Sequence, residues 1–282
     1  MTRVILVCFL SLLVTAASAQ APPQPAPAAP APAKAVAKKG AAPKAKPAGS
    51  PSVAAESGPC TIGVIPAIGD RLSVQHVGLT VFGNEFAEAP VGSWGLDDLV
   101  VARVRAVAGP GIAVRRIPFS KQAFEPYYHP PKRLFRDGSN DLTAVVQQLA
   151  AGAGCQRYLV VTRSSGQIPG TNQSADGIGV LSNWSGGMWK RGSLFAFIQI
   201  TVFDGGTFAK HDDPLGSFGT RLTSSLKLWG EDHFKPLNDF EAPATPDAVA
   251  GNARLRDGTR DLLAARLDKM LPAYLEDVRG SQ

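Results

Sequence analysis

The chain has 282 residues and a formal net charge of +6, from 29 basic and 23 acidic residues. The excess sits at the start: Arg3, Lys34, Lys38, Lys39, Lys44 and Lys46 stand against Glu56, which leaves 23 basic and 22 acidic residues from residue 58 onward. The high pI is therefore no ground for nucleic-acid binding by the body of the chain, and no run after residue 57 is long and apolar enough to span a membrane.

Arg3 precedes the apolar run 4-VILVCFLSLLVTA-16, and the small residues 17-ASA-19 follow. This is the layout of a secretory signal over residues 1–19, with Cys8 an ordinary apolar member of it. Residues 20–57 hold Ala, Pro, Lys and Gly without aromatic residues or apolar periodicity. Such a composition buries too little surface to offset its ordering entropy, so a disordered, extended tether is expected. Export to the periplasm or beyond, in a bacterial cell, is the expected destination. The lysines of the tether suit an anionic surface, or serve only to keep it solvated.

Residues 58–282 are expected to form one globular α/β domain, since 225 residues suffice for a proper core. The stretch 61-TIGVIPAI-68 reads as a strand, Gly69-Asp70 as a turn, and 72-LSVQHVGLTVF-82 as a second extended segment. Residues 83-GNEFAEAPVGS-93 read as a loop. The helix 96-LDDLVVARVRAVA-108 carries its acidic residues early and its arginines late, as the macrodipole favours. A strand follows over 112–120. Pro130 and Pro131 make 125-EPYYHPPKRLFRDG-138 irregular, and Asp141 caps a helix over 142–153. Strands are expected over 157–164, 178–182 and 193–203, where Gln199 and Thr201 alternate with Ile198, Ile200 and Val202. Asp204-Gly205-Gly206 signals a hairpin returning through 207–211, residues 218–230 are ambiguous, and a last helix covers 253–271, where Pro272 ends or kinks it.

Cys60 and Cys155 each stand just before an apolar strand. If those strands run parallel and adjacent, both sulfurs lie at one end of the sheet, and an oxidising compartment would join them.

The order of elements, the opening strand 61-TIGVIPAI-68, the strand 199-QITVFDGGTF-208 ending in an Asp-Gly hairpin, and a closing helix resemble the exported accessory domains of the TolB amino-terminal and curli-secretion type. The resemblance implies a mixed-sheet α/β sandwich with a role in envelope assembly or transport. It transfers no site residue.

Several chemistries are suggested by fragments. Asp70 after Gly69, with Asn84 and Glu85 after Gly83, looks like part of a metallophosphoesterase pattern, but the upstream Asp-X-His and the histidine after Gly-Asn are missing. The four histidines, His76, His129, His211 and His233, show no helical zinc spacing. The clusters 211-HDD-213 and 231-EDH-233 read as solvated polar turns. Ser164 and Ser165 lack a nucleophile elbow, and the glycines from Gly170 to Gly179 form no phosphate cradle. No cofactor and no resident metal are assigned. Two readings remain open. One is a non-catalytic envelope binding or assembly domain whose partner, another envelope protein or a cell-wall component, meets the loop 164–177 and the turn 183–191 through Ser164, Ser165, Asn172, Gln173, Trp184, Met188 and Trp189. The other is a divergent metal-dependent hydrolase in which Asp70, Asn84, Glu85, His211 and His233 converge.

Overall fold

The computed structural model describes residues 58–77, 84–129, 139–168, 173–185, 189–215, 233–238 and 246–279. The signal and tether expected over 1–57 lie outside the described residues, as does the ambiguous segment 218–230. In chain order the elements are β1 (Ile62–Ala67), β2 (Arg71–Val77), β3 (Glu85–Pro90), α1 (Leu96–Ala108), β4 (Val114–Arg116), α2 (Glu125–Tyr128), α3 (Ser139–Ala150), β5 (Arg157–Arg163), β6 (Ser165–Gln167), β7 (Ser174–Asp176), β8 (Ile178–Ser185), β9 (Trp189–Ala196), β10 (Ile198–Asp204), β11 (Phe234–Leu237), α4 (Pro246–Ala250) and α5 (Ala253–Arg279). The expected mixed-sheet α/β architecture is present.

One sheet has the order β10-β5-β1-β4 and the other β11-β9-β8-β2-β3. β1 is buried along its whole length and runs parallel to both β4 and β5. Its near-continuous apolar sequence is what a central parallel strand needs, with both faces covered. Alternation divides its side chains. Ile62 and Val64 join a core with α1 and α5, whereas Ile65 and Ala67 face a second core under α2 and α3. β5 does the same, with Leu159 and Val161 on the first face and Tyr158 and Val160 on the second. A third apolar cluster, Ile168, Ala175, Leu181, Phe195 and Phe197, lies beneath the small hairpin of β6 and β7.

The two sheets meet along a junction that the chain crosses repeatedly. β1 passes into β2 through Gly69, whose φ of 92° is left-handed and therefore costs a glycine least. β9 passes into β10 through Phe197 alone. The Phe197 N–H donates to the Gly177 carbonyl (2.7 Å), and its carbonyl accepts from the Ser164 N–H (3.0 Å). Between β5 and β8 the chain instead buds out as the β6–β7 hairpin.

Cys60 and Cys155 form a disulfide with a Cα–Cα distance of 4.5 Å. They sit where expected, just before β1 and β5, which are parallel neighbours.

Several expected boundaries differ. The segment 193–203 is two strands in two sheets, broken at Phe197. Residues 83–93, expected as a loop, include β3. Its largely exposed sequence, EFAEAP, gives no alternation signal, and pairing with β2 makes it a strand. The strand expected over 112–120 is three residues long. The residues after the Asp-Gly-Gly turn make one bridge, Phe203 to Lys210, instead of a strand. α5 runs through Pro272 to Arg279, because Leu271, Tyr274 and Leu275 around it are buried in the first core and outweigh the lost hydrogen bond.

Candidate functional site

A groove of about 910 Å³ opens where the carboxyl end of β5 meets α2, the junction and the β2–β3 hairpin. Its fixed point is Tyr128. The Tyr128 hydroxyl donates to the Ala67 carbonyl at the end of β1 and accepts from the Arg163 N–H at the end of β5 (3.2 Å). The Arg163 guanidinium lies 4.4 Å from the centre of the Tyr128 ring, a cation–π contact. Burial pushes the Tyr128 phenol up to about 12, so it stays protonated and keeps both bonds at neutral pH. Pro126 in the first turn of α2 presets the backbone that presents Tyr127 and Tyr128 side by side.

The facing wall is the β2–β3 hairpin. Arg71 and Glu88 pair across it at 3.2 Å, and Phe86 stands 65% exposed. Ser73, Ile178 and Gln199 also line the groove. On the β6–β7 hairpin the Ser165 hydroxyl donates to Asp176, its cross-strand partner. Every charged contact named here is thus made within the protein.

Of the expected binding residues, Ser164 and Ser165 line the groove. Gln173 closes the hairpin, its carbonyl accepting from the Ile168 N–H at 2.8 Å. Asn172 and Met188 lie outside the described residues. Trp184 and Trp189 belong to β8 and β9 and not to a nine-residue turn. Trp184 is six residues along β8 from Ile178, about 20 Å at the usual strand rise. Among the described residues of the expected surface, the serine end is the part that lines the groove.

The hydrolase constellation does not assemble. The Asp70 carboxylate is hydrogen-bonded by Lys121, which holds it below the usual carboxylate range. Glu85 pairs in register with His76, whereas Arg71, next to Asp70, pairs with Pro90 at the other end of the same ladder. Asp70 and Glu85 are thus about 17 Å or more apart, and Asn84 lies beside Glu85. The His76 Nδ1 lies 3.0 Å from the Ser182 hydroxyl. His211 borders β10, and the His233 ring stacks on Phe197 with centroids 4.9 Å apart. Glu231 and Asp232 lie outside the described residues. Among the described residues, no group of three or more His, Cys, Asp or Glu side chains is placed to hold a metal ion.

Sequence reasoning missed Phe86, Tyr127, Tyr128, Arg163 and Gln199. The adjacent aromatic pair in 125-EPYYHPP-131 was the signal available for α2. Gln199 was visible only as the polar half of an alternating strand.

No family model matches the chain, and no curated protein does. Among solved structures, a hypothetical protein from Chlamydia trachomatis aligns over 77% of this chain and 99% of its own, at 8% identity and a TM-score of 0.28. A score that low carries no argument about fold or function.

Proposed function

We propose that this chain is an exported, non-catalytic binding domain of the bacterial cell envelope, and that the groove beside Tyr128 receives its partner. The observation that carries the reading is the state of the groove's reactive groups. Arg71 is paired with Glu88, Ser165 with Asp176, and Arg163 with the Tyr128 ring. A catalytic site needs a nucleophile and a base aimed at an incoming substrate. Here these three pairs aim at one another, while the Ser164 hydroxyl, the His129 imidazole and an exposed aromatic ring complete the wall, which is the make-up of a recognition surface. Export is supported by the signal-like leader and by the Cys60–Cys155 disulfide. A role in envelope assembly or transport is what the resemblance to the TolB amino-terminal and curli-secretion domains adds.

The test is site-specific photocrosslinking in cells. A photoreactive residue at Phe86 is expected to give a discrete adduct, and one at Glu276, exposed on α5, is expected to give none. Equal labelling at both positions, or none at Phe86, would overturn the proposal.

A further inference from the structure

The chemistry left over in the groove narrows what it takes. Its described lining includes two guanidiniums, of Arg71 and Arg163, and the His129 imidazole, against three carboxylates, of Glu88, Asp141 and Asp176. Both guanidiniums are engaged, one by Glu88 and one by the Tyr128 ring, and His129 lies 3.7 Å from Glu125. An anionic ligand would therefore meet no unengaged guanidinium, and a cationic one would have to compete with internal pairs for its partners. What stays available is uncharged. The Ser164 hydroxyl, the Tyr127 phenol and the Gln199 carboxamide have no side-chain hydrogen-bond partner among the described residues, and Phe86 offers a ring 65% exposed.

The shape points the same way. A second cavity of about 340 Å³ shares Tyr127 and Gln199 with the groove and continues it along β10 toward Asp213 and Tyr274. The two cavities adjoin at those residues, so a linear chain can occupy both at once. The described lining of the larger part includes Ser73 of β2 and Gln199 of β10. A chain carrying its own hydroxyls and amides needs only the neutral donors and acceptors present.

We infer that the groove binds a neutral polyhydroxylated chain, a glycan strand, with a sugar ring packed on Phe86 and its hydroxyl and acetamide groups bonded to Ser164, Tyr127 and Gln199. The inference rests on the reading of the groove as a binding site and specifies its ligand class.

The experiment is a titration of the isotopically labelled mature chain with a neutral β-1,4-linked N-acetylglucosamine tetramer, followed by backbone amide shifts. Saturable shifts are expected at Phe86, Ser164 and Gln199, with the same affinity at low salt and at high salt, because no ion pair is formed or broken. Phe86→Ala and Gln199→Leu are each expected to weaken binding on the order of tenfold while the remaining amide shifts stay in place. A tetramer that gives no saturable shift, or one whose binding is unchanged in both variants, overturns the glycan assignment. So does tighter binding of an acidic oligosaccharide that disappears with salt. If the tetramer fails while a photoreactive residue at Phe86 still captures a discrete protein, the ligand class is wrong and the binding groove stands. If both fail, both fall.

Discussion

Tyr128 shows how one side chain sets the geometry of this groove. Its hydroxyl joins the last residues of β1 and β5, and its ring takes the Arg163 guanidinium. Nothing in the spacing of 127-YY-128 marks the second tyrosine as the structural one. That depends on which strands end beneath α2, a matter of tertiary placement. Asp97 is a second residue whose role depends on placement. Its position in the first turn of α1 is legible from sequence as a favourable dipole contact. The structure adds that burial, the largest influence on it, raises its pKa to about 6 against the pull of Arg116. One of its carboxyl oxygens is sealed from solvent without a hydrogen-bond partner among the described residues. An acid whose pKa is higher folded than unfolded costs stability once ionised. The cost is absent below about pH 4, grows as pH rises to about 6, and is complete above that. Asp97→Asn is therefore expected to stabilise the fold by about 2 kcal/mol at pH 7.5 and to be nearly neutral at pH 4. Urea denaturation at the two pH values would check this, and an equal effect at both would contradict the assignment.

At the scale of elements, the packed strands and α1 were legible and the junction was not. β1 and β5 are apolar runs bounded by turn residues, and α1 carries its charges at the proper ends, so local chemistry and final placement agree. The break at Phe197 has no glycine or proline to announce it. It arises because Gly177 and Ser164 bond to Phe197 from two sides, a contact between segments distant from the break in sequence. β3 escaped notice for the related reason that an exposed strand on a sheet edge needs no apolar pattern. The β6–β7 hairpin rests on the same phenylalanine. A Cβ at Gly166 would overlap the Phe197 ring, which explains why a glycine is needed midway along β6. Gly166→Ala is expected to cost about 1–3 kcal/mol. In a Phe197→Ala background the added cost should shrink, because the clashing ring is gone. Full additivity of the two substitutions in thermal or urea denaturation would show that they do not meet.

For the whole molecule, the fold class and the disulfide were readable from the order of elements and from where the two cysteines fall. The site was not, because its members come from β2, β3, α2, β5 and β10, and no local motif joins them. The fragment that looked like a motif, Gly69-Asp70 with Asn84-Glu85, is separated in space by the β2–β3 ladder. The Cys60–Cys155 bond spans 95 residues, so it closes most of the first half of the domain. Its removal by Cys60→Ala with Cys155→Ala is expected to lower stability by about 2–4 kcal/mol, measured by urea denaturation under oxidising conditions. Thiol counting on the denatured, unreduced chain should find none of the pair free.

The location of that bond has a mechanical consequence. Gly58 opens the described body, and Cys60 follows two residues later, ahead of every strand. A pull applied through the residues before Gly58 would reach the sulfur bridge before it reached β1, and would be shared at once with the start of β5. Stretching the chain by its amino end should therefore not peel β1 away from β5 one hydrogen bond at a time; the two strands would resist as a single clamped unit.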